Sequence, residues 1–223
     1  MPNYTIDRDK LHRAVRHMGE EYFYCLLDDA IDLISQEKLA RLIKGYFHPD
    51  KLRPDAKPLS VAEKVNRFRD ASHAGEYYEE FDVNSKNCDD TSVGTRAWFS
   101  ECRRLFYYVA SDFKNMASHE ALSAFDVLFG LLDDIDECSV EILFFGDEGG
   151  AYQVPVDWET VFPAYFECLS QNTTPHEYAQ RAIALISQRG TWGREAHFAA
   201  AKQWANPEEK VALENAEQQD LLK

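Results

Sequence analysis

A chain of 223 residues with 45% hydrophobic and 13% aromatic residues carries enough apolar material to fold around a core without disulfide or metal support. Its formal charge of -15 and pI near 4.8 oppose binding to phosphate backbones, which requires Lys and Arg to displace counterions, so nucleic acid is excluded as an expected partner. Cys25, Cys88, Cys102, Cys138 and Cys168 show neither CxxC nor Cys/His ligand spacing, which argues against a disulfide framework and against a zinc site.

Met1 to Lys10 is charged and polar where an export signal needs an apolar run of about 7 to 15 residues, so a cytoplasmic location is expected. No segment approaches about 18 uninterrupted apolar residues, and no membrane partner is expected.

The first periodic stretch runs from Asp7 to Ile34 with a break near Gly19. In its second half Leu26, Leu27, Ala30, Ile31 and Ile34 share one arc of a helical wheel, predicting a helix with a buried leucine face. A second helix, Gln36 to Phe47, stops at His48-Pro49, because a residue before proline is turned away from helical geometry. Pro54 and Pro58 punctuate a polar loop, and Ser60 with Glu63 writes a capping box that restarts the chain. The helix that follows carries Val61, Val65 and Phe68 on one side and is interrupted by Gly75. The segment 82–94, with Asn84, Lys86, Asn87, Asp89 and Asp90, is the most loop-like in the chain and the candidate subdomain boundary.

Beyond it Trp98, Phe99, Cys102, Leu105, Phe106, Val109 and Phe113 fall on one arc, predicting a long helix. Its opposite side carries Tyr107 and Tyr108, so neighbours are expected to wrap it. A further helix begins at Ser118, with Phe125, Leu128, Leu131, Leu132 and Ile135 on its apolar face. Then the period changes. Val140, Ile142 and Phe144 alternate, Gly146 to Gly150 forms a glycine loop, and Tyr152, Val154 and Val156 alternate again, predicting a β-hairpin.

Four helices close the chain between 157 and 221. Thr174-Pro175 with Glu177 and Asn206-Pro207 with Glu209 write their starts, and Gln171-Asn172 and Gly190 write stops. Pro163 is expected to kink the first of them. Short links predict antiparallel chain neighbours that share an apolar face. The expected fold is a single all-α domain over 1–223: an irregular stack of about eight or nine antiparallel helices, solenoid-like or an orthogonal bundle, with one small β-hairpin.

Chemistry-bearing motifs are few. Asp28-Asp29-x-x-Asp32 resembles the DDxxD motif with which all-helical isoprenoid synthases hold magnesium against a diphosphate. Asp133, Asp134 and Asp136 echo it, and the six carboxylates are the candidate metal ligands. On a helical wheel all six lie opposite the leucine faces, where solvated charges belong. His48-Pro49-Asp50-Lys51, followed by Ala62 to Val65 with Phe68 and Ala71, resembles the loop and third helix of a J-domain, the co-chaperone module that stimulates a heat-shock chaperone. The resemblance implies chaperone contact through His48 and Asp50. Asp147 and Glu148, beside Tyr152, form an acidic tip that is a candidate docking point. No nucleophile elbow, phosphate loop or cofactor fingerprint is present, so no catalytic residue and no cofactor are expected. The expected function is a non-enzymatic helical protein-interaction module, an acidic inhibitor or immunity-type protein that binds a basic partner protein. The alternatives are a magnesium-dependent all-α enzyme and a J-domain-like co-chaperone.

Overall fold

Side-chain caps mark the starts of six of the described α-helices, those that begin at Arg8, Val61, Val93, Trp158, Pro175 and Pro207. The computed structural model describes residues 6–48, 52, 59–88, 90–138, 140–146, 149–190 and 192–220. Among them α1 (Arg8–Val15), α2 (Glu20–Leu33), α3 (Gln36–Ile43), α4 (Val61–His73) and α5 (Val93–Asp112) make the first half. The second half is α6 (Ser118–Asp136), α7 (Trp158–Asn172), α8 (Pro175–Arg189), α9 (Arg194–Trp204) and α10 (Pro207–Asp220). Two starts are reciprocal boxes. Ser60 Oγ accepts the Glu63 amide at 3.2 Å while Glu63 accepts the Ser60 amide at 2.7 Å. Asn206 Oδ1 takes the Glu209 amide at 3.0 Å while Glu209 takes the Asn206 amide at 2.7 Å. Each box satisfies backbone donors that a helix start leaves without intrahelical partners.

The core is organised around α5. Trp98, Phe99, Cys102, Leu105, Phe106 and Val109 are buried, and α2, α4, α6 and α7 all pack against this helix. The Phe106 ring lies 5.0 Å from Phe129 of α6 and 5.5 Å from Trp158 of α7, so three helices meet in one aromatic layer. Trp98 buries its indole completely and still finds an acceptor, donating to Ser72 Oγ at 2.8 Å, while Ser72 donates to the Phe68 carbonyl at 2.8 Å. One hydrophobic cluster runs from Val65 to Leu213, continuous across the loop 82–94.

The closing helices interleave. α8 packs chiefly on α10 and α7 on α9, so the main partners are next-but-one in the chain rather than the immediate neighbours the short links predict. Glu209 of α10, fully buried, ties that helix to α7 by accepting a hydrogen bond from Ser170 Oγ at 2.7 Å. Tyr178 of α8 donates to the Ala201 carbonyl of α9 at 2.7 Å. α7 continues through Pro163.

The expected hairpin is replaced. Phe145 makes an isolated antiparallel bridge with Thr91, and Ala151–Gln153 is a turn of 3-10 helix, so the described parts of the two alternating runs do not pair with each other. Burial does not follow the alternation either: Ile142 and its neighbour Leu143 are both buried, and Val140 and Tyr152 are exposed although Ile142 and Val154, two residues on, are buried. Cys138 lies just past α6 with φ 51° and is exposed.

Burial pushes the Tyr165 phenol up to about 12 and that of Tyr178 further. Unfolded phenols ionise near pH 10, so the stability these residues contribute is complete below that pH and is lost as pH rises toward the folded values. The urea midpoint is expected to fall from about pH 10 upward. Tyr178→Phe should flatten this alkaline fall while costing about 1 kcal/mol at neutral pH through its lost hydrogen bond.

Candidate functional site

The three aspartates of α2 face the protein. Ser100 Oγ donates to Asp28 at 2.5 Å, Arg103 grips both oxygens of Asp29 at 2.9 and 3.0 Å, and the Tyr108 hydroxyl donates to Asp32 at 2.7 Å. All three donors lie on α5. Wheel geometry correctly puts leucines and aspartates on opposite sides of α2, but the helix docks by its polar side. Leu26 and Leu27 are therefore 39% and 42% exposed. The physical reason is the polar stripe of α5: a half-buried guanidinium and two hydroxyls need acceptors, and a leucine face would leave them bare. Burial alone would lower the Arg103 pKa, but the hydrogen bonds it donates to Asp29 and the nearby acidic groups outweigh this and raise it.

The α6 aspartates are also inter-helix ligands. Arg189 of α8, whose side chain is only 6% exposed, donates to Asp133 at 2.7 Å and also to Asp136. Asp136 Oδ1 additionally accepts the Ala151 amide at 2.9 Å. Asp134 turns the other way and meets His73 Nε2 of α4 at 3.0 Å. The two aspartate sets act at different places: one closes α2 on α5, the other ties α6 to α8 and α4. Among the described residues no group of three or more His, Cys, Asp or Glu is placed to hold a metal ion.

Asp136 is also the anchor of a loop-built end. It fixes Ala151 and Arg189 to the end of α6; the next residue after Ala151, Tyr152, is 74% exposed, and Trp192, three residues past Arg189 with its carbonyl 3.1 Å from His197 Nε2, is 93% exposed. Beside them two distant loops are joined. Phe144 is flanked edge-on by Tyr78 at 6.1 Å and Phe81 at 5.1 Å, and Thr95 Oγ1 donates to the Phe144 carbonyl at 3.1 Å. Glycines permit this closeness. A Cβ on Gly146 would sit 2.5 Å from the Cys88 carbonyl oxygen, and one on Gly94 would sit 2.3 Å from that of Tyr77. The joined loops expose Glu76, Glu79, Glu80, Asp82, Asp90 and Glu141, with Lys86 as their described cation.

Tyr152, named with the acidic tip, is exposed. Asp147, Glu148 and Asp50 lie outside the described residues. His48 is exposed just beyond α3, and the presumed third helix of the J-domain likeness, α4, spends Val65 and Phe68 on the core. Trp192 and Arg189 were not singled out from sequence. Trp192 follows Gly190 closely, and an aromatic in a turn is the only local signal it carries.

Asp136→Ala should speed hydrogen exchange at the Ala151 amide by about tenfold or more, while Asp136→Asn, which keeps an acceptor, should slow it again toward wild type. Arg189→Ala should lower stability by about 2 kcal/mol in urea unfolding, below the usual loss for a buried pair because both carboxylates reach water. Comparison with protein-family models, with curated proteins and with solved structures found no match.

Proposed function

We propose that the chain is a protein-interaction module that presents its loop-built, acidic and aromatic end to a basic partner protein. The observation that carries this reading is the pair of outward aromatics, Tyr152, next to the Ala151 that Asp136 holds, and Trp192, whose carbonyl lies 3.1 Å from His197 Nε2, at an end of the fold with loops rich in carboxylates. Large aromatic side chains supply most of the affinity at protein interfaces, and a surrounding field of one sign steers an oppositely charged partner toward them. The loops differ from an ordinary wet surface because Thr91, Phe144 and Phe145 fix them to each other and to α5, which lowers the ordering cost of binding. An inhibitor or immunity-type role, in which the acidic end masks the basic surface of its target, is the concrete form of this proposal.

The magnesium reading is less well supported. Each of Asp28, Asp29, Asp32, Asp133, Asp134 and Asp136 already engages a donor of another helix, and a cation would have to displace those contacts.

An arginine-rich peptide, titrated while Trp192 emission is followed, tests the proposal. Raising ionic strength from about 0.05 to about 0.3 M should weaken binding by about tenfold or more. Trp192→Ala should weaken it by about tenfold. Glu79→Lys with Glu141→Lys should abolish the salt dependence, while Glu208→Lys with Glu214→Lys on α10 should leave binding near wild type. Affinity indifferent to salt and to the Glu79 and Glu141 changes would overturn the proposal.

A further inference from the structure

Gly130 stands in the interior of α6, where glycine weakens a helix relative to alanine. Packing does not call for it: a Cβ placed there would meet no atom within 4 Å. The open space beside it is the middle of a groove between α6 and α8. These helices meet through side chains rather than by close packing. Asp126 takes Arg181 at one end, and Asp133 takes Gln188 at 2.8 Å and Arg189 at 2.7 Å at the other. Between the two bridges lie Gly130 and Ala184, over an apolar floor of Phe129, Tyr165 and Leu185.

Size and charge specify the occupant. The groove holds about 240 Å³, below the roughly 300–1,000 Å³ of sites that enclose a whole small molecule, and it suits one long side chain. Asp126 and Asp133 use only Oδ1 in the bridges, and neither Oδ2 has a hydrogen-bond partner among the described residues. The two carboxylates lie two turns apart on one face of α6, and each is nearly half exposed. Burial raises the Asp126 pKa and Arg181 does not fully offset this, so that carboxylate remains short of positive charge. Around the groove Asp126, Asp133, Asp136 and Glu177 outnumber Arg181 and Arg189, which they already engage. An anionic occupant would have to displace these acids; a cationic one completes them.

We propose, on the reading of the chain as a binder of a basic protein, that the groove between α6 and α8 seats one lysine or arginine side chain of that partner. The side chain enters past Asp133, lays its stem over Gly130 and the apolar floor, and brings its cationic head to Oδ2 of Asp126. Long cationic side chains bury methylene stems on apolar surface in this way while the head stays among polar groups. The entrance adjoins the loop-built end, because Asp133 shares Arg189 with Asp136, the anchor of Ala151, one helical turn away.

Amide NMR of the full chain with N-acetylarginine amide, and with its neutral citrulline counterpart, tests this. The arginine derivative should shift the Gly130 and Ala184 amides saturably, and the citrulline derivative should bind at least about fivefold more weakly. Asp126→Asn, which keeps an acceptor for Arg181 and removes the charge, should weaken the arginine derivative by about fivefold. Gly130→Leu should abolish the Ala184 shift without lowering the thermal midpoint, since its Cβ has open space. If that variant unfolds, the citrulline comparison still decides. No saturable shift at these amides, or equal binding of the two derivatives, overturns the proposal. An arginine-rich peptide that binds wild type and Gly130→Leu equally removes the groove and leaves the basic-partner reading standing. A peptide that fails to bind, beside an arginine derivative that saturates the groove, does the reverse.

Discussion

The polar side of α5 is the constraint from which the arrangement follows. This helix is surrounded, with its apolar arc in the aromatic core, yet it carries Ser100, Arg103, Arg104 and Tyr108 on the other side. Arg104 is satisfied within the helix by Glu101 at 2.6 to 2.9 Å. Arg103, Ser100 and Tyr108 are not, and a buried or half-buried donor without an acceptor costs about 1–3 kcal/mol. Only a segment that brings acceptors at matching intervals can lie there. α2 does so with Asp28, Asp29 and Asp32, and its apolar side is left facing outward as a consequence.

The same device recurs on α6. Asp133 and Asp136 converge on Arg189, and Asp134 reaches His73, so one acidic run joins three helices. Neither aspartate set gains its value from Coulomb energy alone. The carboxylates are a third to a half exposed, and ion pairs of that kind contribute modestly. Their contribution is orientation: bidentate geometry at Arg103 and the shared guanidinium at Arg189 each admit one docking of the partner helix. Asp136 then extends the effect to a loop, because its second oxygen holds Ala151.

Much of the fold is legible in the residues themselves. Ser60 with Glu63, Thr174 with Glu177 and Asn206 with Glu209 mark helix starts through short-range chemistry, and the structure begins α4, α8 and α10 there. The apolar arcs of α5 and α6 are equally local, and both are buried as the spacing predicts. What escapes a sequence reading is the choice between two faces when both have a partner. On α2 the wheel separates leucines from aspartates, but the assignment of one to the inside depends on the chemistry of α5, some seventy residues later. The segment 140–156 escapes for a related reason. Its apolar residues recur every second position, but the helical core covers adjacent Ile142 and Leu143 and leaves Val140 and Tyr152 out, a choice that depends on the helices beneath and not on local spacing. The candidate site was legible only in part. Tyr152 stands out beside a glycine loop, whereas the joining of loops 76–90 and 140–146 rests on contacts between Phe144 and residues more than sixty positions earlier.

The orientation of α2 can be read directly from thiol chemistry. In a background where the partly buried Cys88 and the exposed Cys138 are serine, single cysteines at Leu27 and at Asp28 sit one residue apart and about 100° apart around the helix, one on its leucine arc and the other on its aspartate arc. If α2 docks by its aspartates, the cysteine at position 27 reacts with a soluble maleimide much faster than the one at 28, in folded protein under native conditions. Fast labelling at 28 with protection at 27 would place the leucines inside and contradict the account.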